Sequence, residues 1–167
     1  MNIEVSPARP ESEPVLANLL ELYQHDFSEF VDIELGENGR FEYEHLPLYW
    51  KEPNRHPFLI RVDNKLAGFA LVRRGSQVSA NEDVWDMSEF FVVRRYRRRA
   101  VGTRAAHQVW ARCPGQWEIR VMPSNQTAKG FWNRAIASFV GRAVPSVLLD
   151  ETDKRWHVFS FESRPTA

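Results

Sequence analysis

A chain of 167 residues with 43% hydrophobic and 13% aromatic side chains can bury one substantial core and is too apolar to be disordered. Lys+Arg and Asp+Glu both number 22, and this neutrality argues against a protein built to coat nucleic acid. The single cysteine, Cys113, excludes an internal disulfide and a cysteine metal cage.

No apolar run approaches the roughly 20 residues that span a bilayer. The opening MNIEVSPARPESEP lacks the basic-then-apolar order of a secretion signal. A cytoplasmic protein is expected, with no membrane, metal or nucleic-acid partner.

Ile3 and Val5 alternate with polar neighbours and predict a short first strand. Ser12 is placed to cap a helix in which Val15, Leu16, Leu19, Leu20 and Tyr23 share one face. The next thirty residues are aromatic, acidic and weakly periodic, and predict short helices and a loop of the kind that lines a site. Phe58–Val62 and Ala67–Val72 flank Asp63-Asn64-Lys65, a hairpin signal. Val84–Val93 predicts a third strand of this group and runs straight into RRYRRRAVGT. Ala105, Ala106, Val109, Trp110 and Cys113 then form a helical stripe that ends at Pro114-Gly115. WEIRVM reads as a strand. Asn125 opens a second helix with Ala128, Phe131, Trp132, Ala135, Ile136 and Phe139 on its stripe, and strands around Val144–Leu149 and Trp156–Phe161 follow, separated by a turn over residues 150–154. This order predicts an α+β, or α/β sandwich, fold: a mixed, mostly antiparallel sheet of about seven strands with one parallel neighbour pair.

The arginine run carries the strongest functional signal. It sits between a strand end at Val93 and a helix start near Gly102. The first amides of a helix have no internal partner and lie at the positive end of its dipole. Small residues there let the backbone approach an anion, and arginine adds planar donors. Neither GxxxxGK[ST] nor GxGxxG is present, which weighs against a kinase, a GTPase and a typical dehydrogenase.

Tyr96-Arg97-Arg98-Arg99-Ala100-Val101-Gly102-Thr103 resembles the acetyl-CoA signature of the GNAT N-acetyltransferases, with Ala100 standing where the family usually has its first glycine. SNQTAKGFWNRAI is similar to the family's Asn-x-x-Ala-x-x-aromatic-aromatic helix, with Asn125, Ala128, Phe131 and Trp132 in register. The combination looks closest to an uncharacterised bacterial branch of predicted acetyltransferases, and it covers Phe58 to Phe139. It implies a single GNAT domain over residues 1–167: a substrate-side part (1–55), an acetyl-CoA-binding core (56–140) and a C-terminal hairpin (141–167). It implies that Phe91, Val92, Val93, Arg97 to Thr103, Asn125, Ala128, Phe131 and Trp132 contact acetyl-CoA as acetyl donor, with a strand amide at Phe91 or Val92 on the thioester oxygen.

Direct transfer to an amine also needs a base, because a lysine-type amine with a pKa near 10.4 is mostly protonated at neutral pH. Glu89 is favoured and Asp86 is the runner-up; three residues apart, they point to opposite faces of a regular strand unless a bulge intervenes. Trp132 occupies the family's usual tyrosine-acid position and has no acidic proton to give. Tyr23, Tyr43, Tyr49 or water is left for that task.

His107 and Cys113 read as packing residues, and Trp85, Trp110 and Trp117 as core. Asp26, Glu29, Asp32 and Glu34 read equally as an attractor for a cationic amine or a solvated loop. The expected activity is acetyl transfer to a primary amine on a small molecule or peptide. One alternative is a weakly active or inactive acyl-CoA sensor, motivated by Ala100 and Trp132; a lesser one is a nucleic-acid module using Arg94–Arg99. The last two strands offer an edge on which two copies could pair.

Overall fold

The computed structural model describes residues 1–152 and 154–164. Asp153, in the anticipated turn between the last two strands, lies outside the described residues. The elements are β1 (Ile3–Pro7), α1 (Glu13–Phe27), β2 (Arg55–Val62), β3 (Lys65–Arg74), β4 (Trp85–Val92), α2 (Val101–Arg112), β5 (Gly115–Val121), α3 (Gln126–Val140), β6 (Val147–Glu151) and β7 (Lys154–Ser163). Short 3-10 turns lie at Leu46–Trp50 and Arg94–Tyr96.

The seven strands form one sheet in the order β1-β2-β3-β4-β5-β7-β6. Every neighbouring pair is antiparallel except β4 and β5. That parallel pair registers only at Trp85↔Trp117 and Asp86↔Glu118, and beyond those residues the strands part. The parting opens a gap in the middle of the sheet.

Each face is covered by different elements. Alternating apolar residues of β1 to β5 and β7 pack against α2 and α3, with Trp110 and Trp117 among the largest fully buried side chains. The opposite face packs Phe69, Leu71 and Phe91 against Leu16, Leu19 and Leu20 of α1 and against Leu46 and Tyr49 of the irregular segment. Burying such side chains contributes about 1.5–3 kcal/mol each, so the two layers fix the sheet between them.

Several expectations need adjustment. Ser12 occupies the N-cap of α1, but its side chain makes no capping bond; Pro14 in the first turn removes one amide that would need it. The hairpin turn is the two residues Asp63 and Asn64, both left-handed (φ 48° and 65°), the geometry that matches strand twist. β6 begins at Val147 rather than Val144, whose side chain is buried. At the sheet's edge, Val147 and Leu148 of β6 are exposed.

Candidate active site

The gap between β4 and β5 is the floor of a cleft of about 230 Å³. Its walls come from Ser88, Glu89 and Phe90 of β4, Ile119, Arg120 and Val121 of β5, Tyr23 and Phe27 of α1, Asn125, Ala128 and Trp132 near the start of α3, and Trp156 of β7.

A β-bulge decides what β4 presents to it. The β3–β4 register runs Val72↔Met87 and then Leu71↔Glu89, so Ser88 is an extra residue without a partner. Before the bulge Trp85 and Met87 face α2 and α3; after it Phe90 and Val92 face that side, and Phe91 faces α1. Asp86 and Glu89, three residues apart, are thereby brought to the same face.

Their surroundings differ. Asp86 is 0% exposed, and its carboxylate accepts from Arg120 Nε at 3.1 Å, Arg120 Nη2 at 3.3 Å and Ser88 Oγ at 2.7 Å. This ion pair spans the fork where the two strands separate. Glu89 lines the cleft. Its two oxygens accept from the Tyr23 hydroxyl and from the Tyr43 hydroxyl, the latter at 3.0 Å. Burial pushes the Glu89 carboxyl above its ordinary value; the two tyrosine hydrogen bonds and the Arg120 charge oppose that, and the nearby Asp86 adds to it. Burial followed by the Glu89 charge holds both tyrosine hydroxyls above their usual range, so they stay protonated as donors. Tyr43 reaches this position because Glu21 of α1 accepts from the backbone amides of Phe41 (2.8 Å) and Glu42 (3.0 Å). Tyr49 is buried in the α1-side core with Arg55 stacked 5.3 Å from its ring centre.

The β4 edge facing the gap is available as backbone. Val93 N–H donates to Ala67 O at 2.8 Å and Gly68 registers with Val92, so the odd-numbered amides Phe91 and Val93 face β3. The Phe90 and Val92 amides then face the gap. The close β3–β4 approach depends on Gly68, where a Cβ would lie 2.0 Å from the Phe91 carbonyl oxygen.

The arginine run leads from β4 to α2. Ala100 is the N-cap of α2 in the left-handed conformation (φ 57°), and no side chain caps the helix. The Ala100 carbonyl accepts from Arg104 N–H at 3.0 Å, so the amides of Val101, Gly102 and Thr103 precede the first intrahelical bond. Arg98 is left-handed as well (φ 60°). Such a conformation costs a non-glycine residue roughly 1–2 kcal/mol, which explains a glycine preference at the Ala100 position. Val101 is fully buried, whereas Arg98, Arg99 and Ala100 are exposed.

Arg97 turns toward α1. Its Nη2 bonds Asp26 at 2.6 Å, its Nε donates to the Val92 carbonyl at 2.7 Å, and its guanidinium lies 5.4 Å from the Phe91 ring centre. Arg94 bonds the other Asp26 oxygen at 2.5 Å. Partial burial works to raise Asp26, but the Arg97 and Arg94 hydrogen bonds outweigh it and hold the carboxyl below the ordinary range. Asp26 is thus engaged by the protein itself.

Further residues are explained by packing. A Cβ on Gly102 would lie 3.1 Å from the Phe131 ring, so this glycine lets α2 approach α3. Asn125 caps α3 by accepting from Ala128 N–H at 3.0 Å. Trp132 sits among Phe90, Phe131 and Trp110, at centroid distances of 5.1, 4.7 and 6.2 Å. His107 bonds the Ala135 carbonyl at 2.9 Å and packs on Trp110 and Phe139. Cys113 is buried, and burial raises its thiol to about 11, the opposite of an activated nucleophile.

The uncapped α2 start, the adjacent splayed strands and the gap-facing amides are what a phosphate-bearing thioester needs. The family model described as the acetyltransferase (GNAT) family matches residues 16–136. The chain belongs to the GNAT acetyltransferase family. Similar solved structures include an acetyltransferase of Thermus thermophilus (15% identity, TM-score 0.70, 97% of each chain covered). The ribosomal-protein-S18-alanine N-acetyltransferase of Escherichia coli is 12% identical with a TM-score of 0.60, covering 99% of this chain and 96% of that one. The paia N-acetyltransferase of Thermoplasma acidophilum, in complex with coenzyme A, is 10% identical with a TM-score of 0.63, covering 97% and 99%. These identities show a shared fold. No curated protein matches the chain in sequence.

The fold of this GNAT protein supports acetyl transfer in general, and coenzyme A is bound in a structural neighbour. Among the described residues no helix is long and apolar enough to cross a membrane. Nor do they contain a group of three or more His, Cys, Asp or Glu side chains that could hold a metal. Sequence reading missed Arg120, Trp156, Glu21 and the tie from Asp26 to the arginines. Arg120 had one signal: it alternates with the apolar Ile119 and Val121 on a strand next to the one carrying Asp86.

Proposed function

We propose that this protein is an acetyl-CoA-dependent N-acetyltransferase acting on a primary amine, with Glu89 as general base. The supporting observation is Glu89 itself: a carboxylate of raised pKa, held by two tyrosine hydroxyls at the edge of a gap whose other side leads to the uncapped start of α2.

Acetyl-CoA supplies an activated acyl group on a thiolate leaving group. The amides of Val101, Gly102 and Thr103, with the exposed Arg98 and Arg99, would hold its pyrophosphate. Asn125, Ala128, Phe131 and Trp132 would line its thiol-bearing arm from the α3 side. Of the Phe90 and Val92 amides that the strand's alternation aims into the gap, Val92's is assigned to the carbonyl oxygen that gains charge. Glu89, directly or through one water, takes the proton the amine must lose as its nitrogen bonds the acyl carbon and the carbon–sulfur bond breaks. Tyr23, which borders the cleft and donates to Glu89, is assigned to return a proton to the leaving sulfur while recovering one from Glu89. Asp86 has its oxygens engaged by Arg120 and Ser88, and we assign it to holding the fork together.

Calorimetry with acetyl-CoA, followed by thiol release over an amine panel, tests the proposal. Binding with turnover that collapses in Glu89→Gln is expected. Binding without turnover on any amine would favour the sensor reading, and no binding would sink both.

A further inference from the structure

Glu89 is the carboxylate that lines the cleft, and it and the acids packed near it are engaged within the protein. Asp86 accepts from Arg120 and Ser88, Glu118 from Ser76 and Ser79, Asp26 from Arg94 and Arg97, and Glu89 from two tyrosines. A polycationic acceptor needs several uncommitted acids, and none of these is uncommitted. The cleft does have spare donors. Arg120 carries five N–H groups, of which Asp86 uses one on Nε and one on Nη2. The Nη1 group bonds no acceptor among the described residues. The guanidinium is held flat by Asp86 on one edge and by the Trp156 ring, 5.2 Å away, on its face; its side chain remains 21% exposed and lines the cleft on the α1 side with Glu89. The other walls there are the rings of Tyr23, Phe27 and Trp156. A volume of about 230 Å³, below the roughly 300–1,000 Å³ of sites for drug-sized ligands, suits a small guest group.

We propose that the acceptor is a small amino acid, an amine with a carboxylate on the same short apolar skeleton, and that Arg120 is the residue that binds the carboxylate while Glu89 faces the amine. This rests on the acetyltransferase reading of the same cleft and adds the chemistry of its second substrate. Arginine pre-fixed by an acid and a ring loses little freedom on binding, and its remaining edge presents parallel donors to a carboxylate. A carboxamide in the same place would present one oxygen and a mismatched NH₂ group.

Calorimetry on the full chain saturated with coenzyme A decides the matter, with thiol release from acetyl-CoA read in parallel. The ligands are leucine, phenylalanine, β-alanine and γ-aminobutyrate, the carboxamides of each, phenethylamine, and spermidine. At least one amino acid is expected to bind tenfold or more tightly than its own carboxamide, phenylalanine if bound to exceed phenethylamine by as much, and spermidine not to bind at all. In Arg120→Gln that preference should fall below twofold with coenzyme A affinity unchanged. Because Arg120→Gln leaves Asp86 unpaired, the neutral double variant Asp86→Asn/Arg120→Gln guards against misfolding and should show the same loss. Equal affinity for acid and carboxamide, a preference that survives in both variants, binding of spermidine alone, or no amine binding would each overturn the proposal. Carboxylate-selective binding without turnover would leave this site standing and sink the acetyltransferase reading instead.

Discussion

The two faces of the sheet are built to different ends. Under α2 and α3 the packing is apolar and regular in period: Val101, Ala105, Ala106, Val109 and Trp110 on one helix, Trp132, Ala135 and Ile136 on the other. Under α1 and the irregular segment the core is smaller, and beside it runs a polar chain from Glu21 through the Phe41–Glu42 backbone to Tyr43, Glu89 and Tyr23. The first face can hold a common ligand through backbone and helix ends. The second fixes side chains individually, and that is where one member of a family can differ from the next.

Glu89→Gln is the sharpest way to test that division. It should lower kcat/KM by about 10²–10⁴-fold while leaving coenzyme A affinity within a few-fold. The same variant should be more stable at neutral pH. A carboxyl whose folded pKa is raised binds more protons folded than unfolded, so wild-type stability falls as pH climbs from the ordinary value near 4.5 through the raised one. The melting advantage of Glu89→Gln should therefore shrink to nothing as pH drops below that window. An advantage that is constant with pH would mean Glu89 is not the buried anion.

Gly102→Trp strikes the other face. The new side chain meets Phe131, and overpacking of this kind costs about 1–3 kcal/mol, roughly 2–4 °C per kcal/mol in a chain this size. Coenzyme A affinity should fall at least tenfold and melting temperature should fall with it. Lost affinity without lost stability would mean the residue faces the ligand rather than α3.

Tyr43→Phe should do less, and differently. It removes a hydrogen bond that lowers the Glu89 pKa, so the acid limb of the pH–rate profile should move upward, with kcat/KM on that limb several-fold lower. An unmoved limb would detach Tyr43 from the chemistry. Smallest is Asp26→Asn, which weakens the hold on Arg94 and Arg97. Coenzyme A should bind about 2–5-fold more tightly at low salt, with the gain fading as ionic strength rises.

Much of this was legible in the sequence wherever a period carries the information. The β3 and β4 alternation, the α2 and α3 stripes and the helix start after the arginines follow from spacing, and the family's motifs lie on those elements. What the spacing could not convey was pairing across the fold. Arg97 and Asp26 are 71 residues apart, Tyr23 and Glu89 are 66 apart, and neither contact leaves a local trace. Gly102 was legible as a special residue, but spacing pointed only to a ligand, because its packing partner Phe131 lies on another helix. Residues 28–54 have no period at all. Tyr43 is delivered by two amides on Glu21, a contact made by backbone rather than by side-chain type.

The single unpaired residue on β4 has a consequence for how such a protein can change. Were β4 to run without the bulge, with Ser88 taking a partner of its own, every residue after it would turn over, and the Glu89 carboxylate would come up on the side occupied by α2 and α3, away from both tyrosines. A point mutation at Glu89 alters one group, whereas drawing its neighbour into the ladder exchanges inside for outside for the segment as a unit. Along this strand, what a residue can do depends as much on whether its position is odd or even as on its side chain.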